Sequence, residues 1–132
     1  MNIPILQLKD ILLTSVQVDL TDQDALGFQD DVLRRVAATE ANGVVIDITA
    51  LEVVDSFMAR VLNDTANMAR LVGAAVVVCG MQPSVALTLT EMGRELMGVA
   101  TALNLEHALE EIQPLIASRA EGPADGSGGG RT

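Results

Sequence analysis

Tryptophan and tyrosine are absent from this 132-residue chain, and phenylalanine occurs only at Phe28 and Phe57. A core must therefore be built from Val, Leu, Ile, Ala and Met, and roles that need aromatic platforms lose their material. Lysine occurs once, at Lys9; with arginine the cations number 8 against 18 Asp and Glu, a formal charge of −10. So few cations cannot neutralise a phosphate backbone, which nearly excludes a nucleic-acid binder. One cysteine, Cys79, permits no internal disulfide, and a single histidine, His107, leaves the chain without the soft ligands of a structural zinc site. The expectation is a reduced, cytoplasmic protein with no metal and no cofactor. No basic N-terminal stretch precedes an apolar run, and the longest such run, Leu71 to Cys79, is nine residues broken by Gly73. Neither a signal peptide nor a membrane span is expected.

What is present is 49% hydrophobic residues in a length that suits one core. The expected division is a domain over 1–118 and a disordered tail over 119–132, because from Ala120 the chain reads EGPADGSGGGRT after that alanine, five glycines in thirteen residues without apolar periodicity. The GSGGG run lacks the Lys-Ser/Thr and the following helix of a phosphate loop.

Within the domain the hydrophobic period switches repeatedly. Ile3 to Leu8 and Ile11 to Gln17 read as strands joined by a two-residue turn at Lys9 and Asp10. Ala25, Phe28, Val32, Leu33 and Val36 recur at helical spacing behind a capping Thr21 with Asp24 three residues on, and this helix is expected to end near Asn42 and Gly43. Val44 to Ile48 is a β-branched strand buried on both faces. A second helix follows from Ser56 to Val72, with Met58, Val61, Leu62, Thr65, Met68, Ala69 and Val72 inward and Arg60, Asn63, Asp64, Asn67 and Arg70 opposite. Ala74 to Cys79 is a further buried strand, Pro83 opens a third helix ending at Gly93, Val99 to Leu103 is a short strand, and a last helix runs from Leu105 to about Ser118. Strands alternating with helices imply an α/β fold, a mixed but mostly parallel sheet of about five strands with an N-terminal hairpin and four helices.

Functional groups in such folds gather at the carboxyl ends of the strands, here Asp47 to Phe57 and Gly80 to Ser84. Asp55 and Ser56 at a helix start have two readings: an N-cap and nothing more, or a serine hydroxyl open to phosphorylation. The segments IPILQL, VQVDLTDQDAL, ANGVVIDIT, VVDSFMARVLND and CGMQPSVALTLTEMG together resemble the STAS domain, the anti-sigma-factor-antagonist family, over about Ile3 to Ile116. Within that family they are most similar to the stressosome scaffold branch. The DSF element ahead of a helix, joined to G-x-Q-P, is the specific part.

The resemblance implies a non-catalytic scaffold in a large, self-associating stressosome with RsbR-type STAS paralogues. It also implies that the scaffold sequesters an RsbT-type Ser/Thr switch kinase and, once phosphorylated on Ser56, releases it to a stress-response pathway. Asp55, Phe57, Asp47 and Thr49 then form the kinase-docking neighbourhood. Paralogues can carry a second phosphorylatable threonine where this chain has Cys79. Met81, Gln82 and Ser84 are rim candidates for assembly contacts.

Two other classes compete. Asp47 near a strand end could be the phosphoacceptor of a receiver domain, but the first strand, IPILQL, lacks the acidic pair that would hold magnesium, and Lys9 is far from the last strand. A hydrolase would need a base for Ser56, and His107 falls on the outer side of the last helix beside Glu106 and Glu110, with no Gly-x-Ser-x-Gly elbow in the chain. Cys79 reads as a small core hydrophobe, and Met58 and Met68 as packing.

Overall fold

The computed structural model describes residues 3–17, 20–93 and 99–120. The hairpin is β1 (Ile5–Leu8) and β2 (Ile11–Ser15), paired antiparallel with Leu8 opposite Ile11. The turn between them, built without glycine, holds Lys9 at φ 59°. The chain continues through α1 (Asp22–Thr39), β3 (Gly43–Asp47), α2 (Ser56–Leu71), β4 (Ala75–Cys79), α3 (Pro83–Glu91), β5 (Ala100–Ala102) and α4 (Leu105–Ala120). The five strands lie in sequence order, and every pair after the hairpin is parallel. This is the mixed sheet with four helices that the hydrophobic periods imply.

Period-two alternation sorts the strand residues to two faces. Leu12, Val44, Ile46, Val76 and Val78 face α1, α2 and α3 and form the larger core with Phe28, Val32, Val36, Leu62 and Val85. Ile11, Val45, Ala75, Val77 and Cys79 face α4 and pack on Ala108 and Ile112. Helix α4 covers β3, β4 and β5. The outer half of the same face keeps Leu6 and Leu8 exposed on β1.

Helix α1 starts as expected: Thr21 Oγ1 accepts the Asp24 N–H at 3.0 Å and Asp24 Oδ2 accepts the Thr21 N–H at 3.1 Å. It ends at Thr39, earlier than expected, with Glu40 in the left-handed region at φ 53°. Gly43 serves a different purpose from a helix stop. It is already the first residue of β3, and a Cβ there would lie 2.7 Å from Ile112 Cδ1, so its bareness lets α4 close on the sheet.

In α2 the buried arc is wider than the expected stripe, because α1 and α3 flank the helix while the sheet lies beneath it. Ala59, Asn63 and Ala66 join Val61, Leu62, Thr65 and Ala69 inside, whereas Met68 and Val72 are exposed. Helix α4 runs to Ala120, and of the expected tail the residues from 121 on lie outside the described residues.

Candidate functional site

The rim is built from the loops that leave β3 and β4. Parallel pairing carries the ladder to its edge: Ile48 N–H donates to the Cys79 carbonyl at 2.9 Å, and Gly80 N–H to the Ala102 carbonyl at 3.2 Å. Beyond that edge the backbone loses its ladder partners and must find others.

After β3, Asp47 Oδ1 accepts both the Thr49 N–H at 2.9 Å and the Thr49 hydroxyl at 2.5 Å, closing a tight Asx turn. Leu51 and Val54 anchor the loop in the core, while Glu52 and Val53 face solvent, Val53 with 82% of its surface exposed. Asp55 is the N-cap of α2, in extended conformation, and its Oδ1 accepts the Met58 N–H at 2.8 Å. Ser56 is therefore the first residue of the helix. The carboxylate beside it does the capping, and the serine is exposed at the positive end of a 16-residue helix. Phe57 is half-buried.

The expected docking residues thus fall in two surroundings. Asp55 lines a cleft of about 430 Å³ toward the start of α1, with Asp22, Leu20, Glu52, Val53 and Met58. Asp47 lines a smaller hollow on the α4 side, with Leu6, Leu13 and Leu105. Asp47 and Thr49 are bonded to each other, and Asp55, Ser56 and Phe57 are contiguous at the helix start.

After β4, Gly80 turns at φ 77°, and Gln82 and Ser84 direct their side chains back to the first loop. Gln82 Nε2 donates to the Thr49 carbonyl at 2.8 Å, and the Ser84 hydroxyl donates to the Glu52 carbonyl. Neither bond was foreseen; the two polar side chains flanking Pro83, on a rim that offers unpaired carbonyls, are the signal that could have shown them. Cys79 is fully buried, and that burial, reinforced by the charge of Asp47, its register partner in β3, pushes the thiol up to about 11. His107 is exposed on α4 and lines a separate hollow with Met81, Leu103 and Glu111, away from the residues of the Ser56 loop. Among the described residues no cluster of His, Cys, Asp and Glu could hold a metal ion, and no helix is long and apolar enough to cross a membrane.

A rim of this kind, on this strand order, agrees with the family comparison: the STAS domain model matches residues 2–111. The chain belongs to the STAS domain family. Among solved structures, this STAS chain is similar to a serine-to-glutamate variant of Moorella thermoacetica RsbS, with 41% identity and a TM-score of 0.79 over 87% of this chain and 97% of that one. It is equally similar to a chain in the molecular architecture of the stressosome, a signal integration and transduction hub, with 44% identity and a TM-score of 0.76 over 85% of this chain and 97% of that one. The RsbT co-antagonist protein RsbRA of Bacillus subtilis (strain 168) is 31% identical over 81 residues, 61% of this chain, which spans 30% of that relative's length. STAS membership removes the ground for reading Asp47 as a receiver phosphoacceptor, and the Asp47 carboxylate is held in its turn by Thr49.

Proposed function

We propose that this STAS protein is a non-catalytic, cytoplasmic stressosome scaffold that holds an RsbT-type Ser/Thr switch kinase at the Ser56 rim and releases it when Ser56 is phosphorylated. The observation that carries the reading is an exposed serine at the first position of α2 whose neighbour, Asp55, already supplies the cap. Modifying the hydroxyl therefore costs the helix none of its capping.

A phosphate adds about 1.5 to 2 negative charges at neutral pH. The start of α2 favours that charge by about 0.3 to 1 kcal/mol. The exposed Asp55 opposes it by about 1 kcal/mol for a unit charge at 4 Å in water. Scaled to about 1.5 to 2 charges the opposition is about 1.5 to 2 kcal/mol, so the net cost stays below about 2 kcal/mol against a domain stability of about 5 to 15 kcal/mol, and the modified domain keeps its fold. In a docked interface that excludes water neither term is screened, and lost hydration and like charge weaken binding by about 1.4 to 4 kcal/mol, tenfold to about a thousandfold. That is a release switch without refolding.

Assembly with further copies and with RsbR-type paralogues belongs to the same reading. It is supported by the similarity to RsbS and to the stressosome chain and by the exposed Leu6 and Leu8 beside the half-buried Leu13 on the part of the sheet that α4 leaves open.

Incubation with the cognate kinase and magnesium-ATP, followed by mass spectrometry, tests the proposal. Phosphate is expected on Ser56, none on Ser56→Ala, and Ser56→Asp should bind the kinase at least about tenfold more weakly than Ser56→Ala. Equal, tight binding by the phosphorylated and unmodified protein would overturn the switch.

A further inference from the structure

The segment 48–55 carries no regular structure, yet it is fixed in its middle by side chains from the next rim loop. The Thr49 carbonyl accepts from Gln82 Nε2 at 2.8 Å, and the Glu52 carbonyl accepts from the Ser84 hydroxyl. Gly80 makes the approach possible. At φ 77° it lies so close that a Cβ would overlap the Thr49 side chain and come within 3.1 Å of Asp47 Oδ1. Pro83 at the start of α3 fixes the backbone between the two donors.

We propose that Gln82 and Ser84 are positioning residues for Ser56, holding the β3–α2 loop in the one shape that the kinase docks onto. The inference rests on the reading of Ser56 as the phosphoacceptor and adds how that acceptor is presented. Ile48, Leu51 and Val54 anchor the loop from below, while Thr49, Glu52 and Val53 lie outside the core. Between those anchors the exposed residues gain conformations once the Thr49 and Glu52 carbonyls turn to water, and every added conformation dilutes the one that binds. The reaction itself is untouched, because Ser56 stays on the first turn of α2 under the Asp55 cap. Losing either donor should therefore act on docking and leave the chemical step alone.

The test is steady-state phosphorylation of the full chain by the cognate RsbT-type kinase with magnesium-ATP, with the scaffold as the varied substrate. Ser84→Ala and Gln82→Ala should each raise KM about threefold to tenfold, as expected for one hydrogen bond, with kcat within about twofold of wild type. Ser84→Thr, which keeps the hydroxyl, should restore the wild-type KM. Amide hydrogen exchange over 49–54, which needs no kinase, should accelerate in Ser84→Ala and not in Ser84→Thr. Wild-type labelling at Ser56 with unchanged KM in both alanine variants would overturn this inference alone, as would a KM defect that Ser84→Thr fails to restore. Absence of phosphate on Ser56 in the wild-type chain would overturn the functional reading and this inference together.

Discussion

Ser56 and Ser84 stand on the same rim, in the first turns of α2 and α3, and both are exposed. Their hydroxyls nevertheless do different work. Ser56 follows a residue that caps its helix, so its side chain has no structural duty there. Ser84 follows Gln82, which makes no side-chain cap, and Pro83, and its hydroxyl is committed to the Glu52 carbonyl. The loop after β3 presents groups outward, Glu52, Val53, Asp55 and Ser56, while the loop after β4 turns its polar groups inward to hold the first. Neighbouring loops are thus divided between one that presents groups outward and one that holds it.

The largest break in that division should come from Gly80. An added Cβ meets the Thr49 side chain, and the φ of 77° disfavours any side chain. Left-handed backbone contributes about 1 to 2 kcal/mol and overpacking about 1 to 3, so Gly80→Ala should cost about 2 to 5 kcal/mol in urea unfolding, with an unchanged m-value. Thr49→Ala in the same chain should recover the steric part and leave the backbone part. Full stability in the single variant would show that the loops are not in contact.

Cys79, the last residue of the strand that feeds the supporting loop, gives the next effect. Its thiol is raised from 9.0 to about 11, so the folded state holds the proton more tightly than the unfolded chain does. That contribution is complete below pH 9 and is lost as pH rises through 11. It amounts to about 1 to 3 kcal/mol at most. With no tyrosine and one lysine, few other groups titrate in that window. A Cys79→Ala variant should therefore show a flatter stability profile between pH 9 and 11 than the wild type, measured by urea midpoints.

The division also marks where sequence reading stops. Element order and the Thr21 and Asp24 cap follow from local patterns, since period and caps act within a few residues. The role of Gly43 was misread because its constraint, Ile112, arrives from α4 far along the chain. Asn63 looked like a surface residue on the α2 wheel until α1 and α3 were in place on both sides of the helix. The start of α2, with Asp55 as its cap and Ser56 as its first residue, was legible because Asp-Ser before an amphipathic run is a local pattern. The bonds from the next loop were not, because Gln82 and Ser84 reach Thr49 and Glu52 across 33 and 32 residues of sequence.

Asp55 probes the outward-facing side without touching the hydroxyl of Ser56, the proposed switch. Asp55→Ala removes the acceptor for the Met58 N–H and should cost about 0.5 to 2 kcal/mol, while Asp55→Ser should retain most of the cap. The serine variant also removes the charge beside Ser56. Phosphate on Ser56 should then be tolerated better next to the helix, and the difference in kinase affinity between phosphorylated and unmodified protein should shrink. An unchanged difference would assign the release to lost hydration alone.

The smallest effect is the direct comparison of the two serines by stability. Ser56→Ala removes an exposed hydroxyl from a helix that is already capped, and alanine is the better helix former, so unfolding free energy should stay within about 0.5 kcal/mol of wild type. Ser84→Ala leaves the Glu52 carbonyl to solvent and should cost about 0.5 to 1.5 kcal/mol. In the Ser56→Ala/Ser84→Ala double variant the two effects should add within about 0.5 kcal/mol, because no bond joins the two side chains and only the loop connects them. Strong non-additivity would mean that Ser56 itself bears structural load. The separation of signal from support would then fail at its simplest point, since phosphorylating a load-bearing hydroxyl would loosen the domain as well as change its surface.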